Sequence, residues 1–194
     1  LSYPYGTAFG PDGSMYIAEG ENRIRRVTPD GIIHTFAGTG FYGFSGDGGP
    51  AENADLQFPT DVAVGADGSI YIPVGNRVRR IGTDGIISTV VGTGENPFLD
   101  ESLNGDGGLA TRAKLYAGSV AVAPDSTLYI LDGVLSLLPD GSISGNKIRR
   151  VGPDGIISTF AGSNRGGFSG DGGPAVEASI SALSLAIGPD GSVY

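Results

Sequence analysis

The sequence predicts an all-β protein built from repeated four-stranded antiparallel units. The first observation is self-similarity: the phrase PDGSMYIAE at 11–19 recurs in related form at 66–74 and 124–132, and begins again at 189–194. The second is a longer phrase, NRIRRVTPDGIIHTFAG at 22–38, which returns at 76–92 and 146–162. The third is that no segment keeps an apolar period of 3.6 residues over a helical length. Three full repeats and the start of a fourth are therefore present.

Each repeat divides into four short apolar segments separated by Pro-Asp-Gly or Gly-rich turns. In the first repeat the segments are rich in Ile, Val, Tyr and Thr, and they span Gly6–Phe9, Met15–Ala18, Arg23–Val27 and Ile32–Ala37. Such segments predict strands joined by hairpins. Four antiparallel strands repeated about every sixty residues indicate the blades of a β-propeller. We expect one partial propeller over 1–194, with blades at about 1–56, 57–115 and 116–180 and the first strand of the next at 181–194.

The amino-acid composition excludes several classes of protein and of site. The 35 Gly and 12 Pro accompany 39% hydrophobic residues and fall at regular intervals, so they indicate turns in an ordered chain. The net charge of -9 argues against nucleic acid as a partner, because phosphates require a basic surface. No cysteine is present, which excludes disulfides and zinc–thiolate sites. No apolar run approaches ~18 residues, so we expect no membrane insertion.

The connections between blades distinguish the two faces of the propeller. We call the link from the fourth strand of one blade to the first strand of the next a joint. The joint phrase GFSGDGGPA at 43–51 returns unchanged at 167–175 and as NGDGGLA at 104–110. Because strands alternate direction, all joints lie on one face, the joint face, together with the turns between second and third strands. Two insertions, within 95–104 and 133–145, fall on this face. Loop variation on a rigid scaffold is typical of binding surfaces, so we predict binding there.

The insertions supply the candidate partner-binding residues. Apolar side chains in unique surface loops can anchor a protein or carbohydrate ligand. The candidates are Phe98, Leu99, Asp100, Glu101, Leu135, Leu137 and Leu138. Phe44 and Phe168 occupy the same place in their joints, and we expect both to pack beneath it.

The aspartates of the GDGG phrase have two interpretations. Asp47, Asp106 and Asp171 either pin the joints structurally or form a ring of carboxylates that attracts Ca²⁺ weakly. Calcium requires six to eight oxygen ligands. One Asp per joint supplies too few, so we expect no cofactor beyond weak calcium binding.

The basic residues concentrate in the third strands. Nine of the twelve Lys and Arg lie there, in one triad per blade. We expect them around an exposed rim in pairs within and between blades, where each exposed pair contributes roughly 0–1 kcal/mol.

Catalysis has little support in the sequence. His34 is the only histidine, and its place in a fourth strand puts it on the outside of a blade. The first strands, which line the channel, carry Asp61 as their acidic residue. A metal-dependent site needs several such ligands in proximity. We therefore expect a protein without enzymatic activity.

The phrases NRIRRVTPDGIIHTFAGTG and FSGDGGPA resemble the NHL repeat, particularly its bacterial and teneurin-type variety. The resemblance covers essentially the whole chain in three concordant copies. It implies a propeller, most often six-bladed, that serves as a binding scaffold. A minority of relatives are lyases or lactonase-like enzymes, and the lyases use several metal-binding histidines that this chain does not supply. The family and the absence of cysteine together suggest an exported or cell-surface bacterial protein, extracellular in location.

Three repeats and part of a fourth do not close a six-bladed ring. Either a longer parent chain supplies further blades, or partial propellers associate between chains. The leading functional interpretation is a non-catalytic scaffold that recognises a protein or carbohydrate. Two alternatives stay open: a lactonase- or lyase-like enzyme with its site in other blades, and a structural self-assembly module.

Overall fold

The computed structural model describes residues 1–95, 105–133, 145–163 and 165–194. Its strands form three four-stranded sheets. The first sheet contains β1 (Pro4–Phe9), β2 (Met15–Glu19), β3 (Arg23–Val27) and β4 (Ile33–Ala37). The second contains β5 (Ala63–Val64), β6 (Ile70–Pro73), β7 (Val78–Ile81) and β8 (Ile87–Val91). The third contains β9 (Ala117–Val122), β10 (Leu128–Asp132), β11 (Lys147–Val151) and β12 (Ile157–Ala161).

The sheets confirm the predicted all-β class and the four-stranded antiparallel unit. In each sheet the strands pair in chain order, so consecutive strands lie side by side and antiparallel. The expected third strand of the first blade has the observed bounds, whereas β1 begins two residues earlier than expected. The fourth unit begins with a narrow hairpin in which Ile187 and Val193 form a bridge.

Helices are confined to the joints in the described part of the chain. Each joint contains one turn of 3₁₀ helix, at Ala51–Asn53, Ala110–Arg112 and Ala175–Glu177. None of the described helices is long and apolar enough to cross a bilayer.

The hydrophobic cores lie between neighbouring blades. Ile24 of the first blade shares one core with Ile87 of the second. Val78 of the second blade shares another with Ile157 of the third. All four side chains are fully buried. Each blade therefore buries apolar surface against the next, as in other repeat architectures, and depends on its neighbour for stability.

The hairpins between first and second strands depend on one left-handed residue. In the second blade Asp67 accepts a hydrogen bond from the backbone N of Ser69 (2.9 Å), and Gly68 between them has φ 83°. The third blade places Ser126 in this position with φ 69°. A non-glycine residue there costs about 1–2 kcal/mol, so this hairpin is locally strained.

Candidate functional site

The joints hold each blade to the next through the backbone. Gly46 has φ 87°, and a Cβ on it would lie 2.8 Å from the Cα of Ala54, so only glycine fits this path. Gly48 N then donates to the carbonyl of Ile87 (2.8 Å), and Ile87 N donates to the carbonyl of Gly49 (3.0 Å). The second joint makes the same bonds to the third blade. The first and second joints are therefore short extra strands against the fourth strand of the following blade.

Asp47 of the first joint binds a buried arginine of the second blade. Its Oδ1 accepts hydrogen bonds from Arg79 Nε (3.0 Å) and Nη2 (2.6 Å), and its Oδ2 accepts one from Thr89 N (3.0 Å). The side chain of Arg79 is 0% exposed. Its guanidinium also donates to the carbonyls of Ser45 (2.8 Å) and Asp55 (3.1 Å). The guanidinium thus closes the first joint onto the middle of β7.

Asp106 repeats this contact between the second joint and the third blade. Arg149 Nη2 donates to Asp106 Oδ1 (2.6 Å), and Thr159 Oγ1 donates to Asp106 Oδ2 (2.8 Å). Arg149 is likewise 0% exposed, and its Nη1 donates to Asp132 Oδ2 (2.9 Å). Tyr116 N donates to the other oxygen of Asp132 (2.9 Å). One buried guanidinium therefore joins two carboxylates, one from the joint and one from its own blade.

The expectation of an exposed arginine rim is wrong for these middle members of the triads. Arg79 and Arg149 are fully buried because a joint covers the face of the third strand on which they lie. The outer members, Arg26 and Arg80, do lie toward solvent and pair with aspartates of the hairpins on the opposite face. In the second blade, the third strand β7 thus carries a buried arginine, Arg79, that binds the joint, and a more exposed arginine, Arg80.

The protonation of Asp47 follows from these contacts. Burial opposes its ionisation, but hydrogen bonds from Thr89 and Arg79 outweigh burial and lower the pKa of Asp47 below its ordinary value. The ionised carboxylate is thus already occupied by protein donors. Among the residues described, no cluster of three or more His, Cys, Asp or Glu side chains could hold a metal ion. The geometry favours the structural interpretation for Asp47 and Asp106.

Five exposed aromatic side chains lie in the first joint or at the joint-face ends of the first strands of the first two blades. The rings of Tyr5 and Phe58 lie 5.4 Å apart between centroids. Tyr42 Oη accepts a hydrogen bond from Gln57 Nε2 (2.8 Å). Tyr3 is 78%, Phe41 75% and Tyr42 68% exposed. The aromatic cluster comprises Tyr3, Tyr5, Phe41, Tyr42 and Phe58.

Two members of the aromatic cluster have a strained backbone. Tyr3 (φ 48°) and Phe58 (φ 52°) lie in the left-handed region, and both precede a proline. Phe58 N is held by Asn22 Oδ1 (3.1 Å), and Asn22 Nδ2 donates to the carbonyl of Gly40 (3.3 Å). Such strain costs of order 1–3 kcal/mol and often accompanies ligand-binding sites. Sequence reasoning missed Tyr3, Tyr5 and Phe58, although the parallel phrases LSYP and LQFP at 1–4 and 56–59 marked two of them.

Phe44 and Phe168 differ although their local sequences are identical. The guanidinium of Arg77, from the second blade, lies 3.8 Å from the centroid of the Phe44 ring. Phe44 is 43% exposed, whereas Phe168 is 84% exposed. The expectation that both pack beneath a joint is therefore wrong for Phe168. Its environment depends on the blade that follows, which local sequence does not specify.

The predicted partner-binding residues of the two insertions lie outside the described residues. These are Phe98, Leu99, Asp100, Glu101, Leu135, Leu137 and Leu138, and their role stays a prediction. The three joint aspartates, Asp47, Asp106 and Asp171, are all exposed to solvent.

Asp61 is the acidic side chain of the described first strands. Its Oδ2 accepts hydrogen bonds from Ser119 Oγ (2.6 Å) and Val120 N (3.2 Å). Burial raises the pKa of Asp61 despite these hydrogen bonds. His34 is exposed on the fourth strand of the first blade, β4, where it pairs with Arg26. Asp61 thus links the first strands of neighbouring blades.

Sequence comparison places these features among known proteins. The model of the Teneurin NHL domain matches residues 42–98. Teneurin-3 of Danio rerio is 34% identical over 177 residues, which cover 84% of this chain and 6% of the teneurin. Teneurin-m of Drosophila melanogaster is 30% identical over 176 residues, again 84% of this chain and 6% of the relative. The chain therefore corresponds to a small part of these long proteins.

Solved structures agree on the fold. A protein of unknown function from Bacteroides thetaiotaomicron superposes with a TM-score of 0.69 at 18% identity, covering 98% of this chain and 43% of that one. A gluconolactonase from Xanthomonas campestris superposes with a TM-score of 0.58 at 13% identity, covering 100% of this chain and 69% of that one. At these identities the likeness concerns the fold alone.

Proposed function

Because the chain belongs to the NHL-repeat β-propeller family, we propose that it is a non-catalytic binding scaffold that receives a protein or carbohydrate ligand on its joint face. The blades form the rigid support, and the joint face presents the contact surface. In this proposal the protein acts outside the cell or at its surface. The sequence relatives are animal proteins, so they do not support the expected bacterial origin.

The observation that carries this proposal is the aromatic cluster. Tyrosine and phenylalanine supply large contact area at low entropic cost, and they are enriched in binding sites. Tyr3, Phe41 and Tyr42 are each more than two-thirds exposed, on the face to which the sequence assigns both insertions. Phe9, by contrast, is the last residue of the first strand β1 and lies on the opposite face, away from the aromatic cluster. Its side chain is 72% exposed.

The support beneath the cluster is suited to presenting it. Asn22 bonds Phe58 to the first joint, and Arg79 bonds that joint to the second blade. Residues held in this way lose little conformational freedom when a ligand binds. A rigid aromatic surface on a propeller is therefore a binding platform.

The test is a binding screen with a matched control. Tyr42→Ala and Tyr3→Ala shorten exposed rings of the cluster, and Phe9→Ala shortens an equally exposed ring on the opposite face. The probes are an array of immobilised glycans and a panel of purified extracellular domains. We expect a ligand whose affinity falls about tenfold or more in each tyrosine variant and stays unchanged in Phe9→Ala.

Two results would contradict the proposal. One is a ligand whose affinity depends on Phe9 and not on the cluster. The other is hydrolysis or elimination catalysed by the protein and abolished by a chelator, since that result would identify a metal-dependent enzyme.

A further inference from the structure

The first and second joints share one pattern of backbone hydrogen bonds in their described residues. In the first joint Thr39 N donates to the carbonyl of Ala54 (3.0 Å), and in the second Thr93 N donates to the carbonyl of Ala113 (3.0 Å). In both joints the threonine hydroxyl then accepts a hydrogen bond from the backbone N two residues on, at 3.1 and 3.2 Å. Side chains at corresponding positions of the two joints therefore occupy equivalent places.

The second joint holds an ion pair of its own at two of these places. Lys114 Nζ lies 2.8 Å from Glu95 Oε2. The corresponding residues of the first joint are Asp55 and Phe41, and the first joint contains no Lys or Arg. The contact between Lys114 and Glu95 shows that the two places lie side by side. In the first joint they bring together a carboxylate and an aromatic ring.

The place of Phe41 is open to solvent even where blades lie on both sides of it. Glu95, which lies between the second and third blades, keeps 64% of its side chain exposed despite its ion pair. Phe41 and Tyr42 are both strongly exposed. The chain then passes directly against Asp55, because a Cβ on Gly43 would lie 3.5 Å from the Cβ of Asp55. The two exposed rings therefore adjoin the Asp55 carboxylate.

The carboxylate of Asp55 is ionised and has acceptor capacity left. Thr39 Oγ1 donates to its Oδ1 (2.6 Å), and Ser45 Oγ donates to its Oδ2 (3.0 Å). These hydrogen bonds lower the pKa of Asp55 below its ordinary value, so the group is charged at neutral pH. Each carboxylate oxygen can accept two hydrogen bonds, so one further bond is open on each. No ion pair involves the Asp55 side chain in the described part of the chain.

Arginines that contact the first joint bind other carboxylates. Arg23 lies 3.6 Å from Glu21. Arg79 lies 2.6 Å from Asp47, and its hydrogen bond to Asp55 is to the backbone carbonyl. The Asp55 carboxylate is therefore available to a cation from outside the chain.

A guanidinium group has the shape and charge that fit this arrangement. It donates two parallel N–H bonds to a carboxylate, and its plane stacks on aromatic faces. The first joint already shows such stacking, since the guanidinium of Arg77 lies 3.8 Å from the centroid of the Phe44 ring. The net charge of -9 also favours the approach of a cationic partner.

We propose that Asp55, Phe41 and Tyr42 form a binding site for an arginine side chain of a partner protein. The guanidinium donates to both oxygens of Asp55 and stacks on the ring of Phe41. Tyr42, held by its hydrogen bond from Gln57, borders the site. The inference rests on the proposed function, and within that function it selects a protein with an exposed basic segment over a carbohydrate.

The probe for this site is N-acetyl-arginine methylamide. Its matched control is N-acetyl-citrulline methylamide, which has nearly the same shape and no charge. Each is titrated into the ¹⁵N-labelled protein at constant ionic strength and followed by NMR. We expect saturable shifts of the amides of Phe41, Tyr42 and Asp55 with the arginine probe alone. Absence of these shifts, or equal shifts with the citrulline probe, would overturn the proposal.

Single variants assign the contacts of the probe. Asp55→Asn should weaken binding of the arginine probe by about tenfold, and Phe41→Ala should weaken it by about threefold. Glu52→Gln removes the same charge from an exposed residue of the same joint, and it should change the affinity by less than about twofold. An Asp55→Asn protein that binds the probe as tightly as Glu52→Gln does would contradict the assignment.

A double variant fills the site without removing the joint. Phe41→Glu combined with Asp55→Lys gives the first joint the residues that form the ion pair of the second. The variant should fold with a Tm close to that of the wild type, because the second joint accommodates the same pair. It should no longer bind the arginine probe, since a lysine replaces the carboxylate. A double variant that folds, as judged by circular dichroism, and binds the probe like the wild type would overturn the proposal.

Failure of this inference is distinguishable from failure of the proposed function. A screened ligand that depends on Tyr42, together with no binding of the arginine probe, would remove the arginine site and leave the scaffold. Probe binding that depends on Asp55, together with a screened ligand that depends on Phe9 and not on the aromatic cluster, would keep the arginine site and remove the proposed function.

Discussion

Replacing Asp47 by Asn tests whether the joint aspartates hold the blades together. Asn has nearly the same size and can still accept a hydrogen bond, but it removes the charge that faces Arg79. Arg79 then remains fully buried with neutral acceptors, the carbonyls of Ser45 and Asp55. The perturbation therefore isolates the ionic part of the contact.

The magnitude follows from the burial of the two partners. Removing one partner of a buried ion pair costs about 3–5 kcal/mol. The Asp47 side chain is 36% exposed, so water relieves part of that cost. With the two carbonyl acceptors retained, we expect a loss of about 2–3 kcal/mol in the free energy of unfolding. For a chain of this size the loss lowers Tm by roughly 5–10 °C.

Urea unfolding followed by circular dichroism measures this loss. The control is Glu21→Gln, which removes an exposed carboxylate 3.6 Å from Arg23 and should change stability by no more than about 1 kcal/mol. Adding Arg79→Met to Asp47→Asn should recover part of the loss, because no charge then remains buried. A loss for Asp47→Asn no larger than that for Glu21→Gln, at unchanged m-value, would refute the reasoning.

Three further predictions concern the turns, the carboxylates and calcium. Ser126→Gly should raise the free energy of unfolding by about 1 kcal/mol, measured by urea unfolding, because glycine adopts the left-handed conformation without strain. The lowered pKa of Asp47 means that its contribution is present above the ordinary value of 3.8 and is lost as pH falls through the folded-state pKa. The Tm difference between wild type and Asp47→Asn should therefore shrink below about pH 4, and a constant difference would contradict this linkage. Because protein donors already occupy Asp47 and Asp106, millimolar CaCl₂ should leave the Tm of wild type and of Asp47→Asn unchanged in differential scanning fluorimetry. A calcium-dependent rise that Asp47→Asn abolishes would restore the cation interpretation.

Much of the fold was predictable because the repeated phrases show where each strand begins and ends. Residues that recur together, such as the Asp-Gly turns and the segments around Ile24 and Ile87, mark strands wherever they return. Three concordant copies reduce the error of any single strand assignment. The all-β class and the four-stranded unit therefore follow from sequence.

The burial of Arg79 and Arg149 was not predictable from local pattern. Because side chains alternate along a strand, Arg79 and Val78 point to opposite faces of the sheet. Both faces of a blade pack against other parts of the protein, so the alternation does not show which of the two residues is buried. The partner, Asp47, lies 32 residues away in the sequence. Only the stacking of successive blades shows that a joint covers this arginine.

The aromatic cluster illustrates the same limit at the candidate site. Tyr3 precedes the first strand of the first blade and Tyr5 lies near the start of that strand, whereas Phe58 precedes the first strand of the second blade. Their proximity arises because neighbouring blades bring equivalent positions side by side. The sequence marks each aromatic residue singly, and the ring packing of Tyr5 on Phe58 is a tertiary contact.

The central claim is that buried arginines bind the joint aspartates and so hold successive blades together. Hydrogen exchange at the Arg79 Nε–H, observed in ¹⁵N-labelled protein by NMR, tests it most directly. We predict that this proton, which donates to Asp47 Oδ1, exchanges far more slowly than the Nε–H of Arg23 and loses its protection in Asp47→Asn. Exchange of the Arg79 Nε–H as fast as that of Arg23 in the wild-type protein would contradict the account.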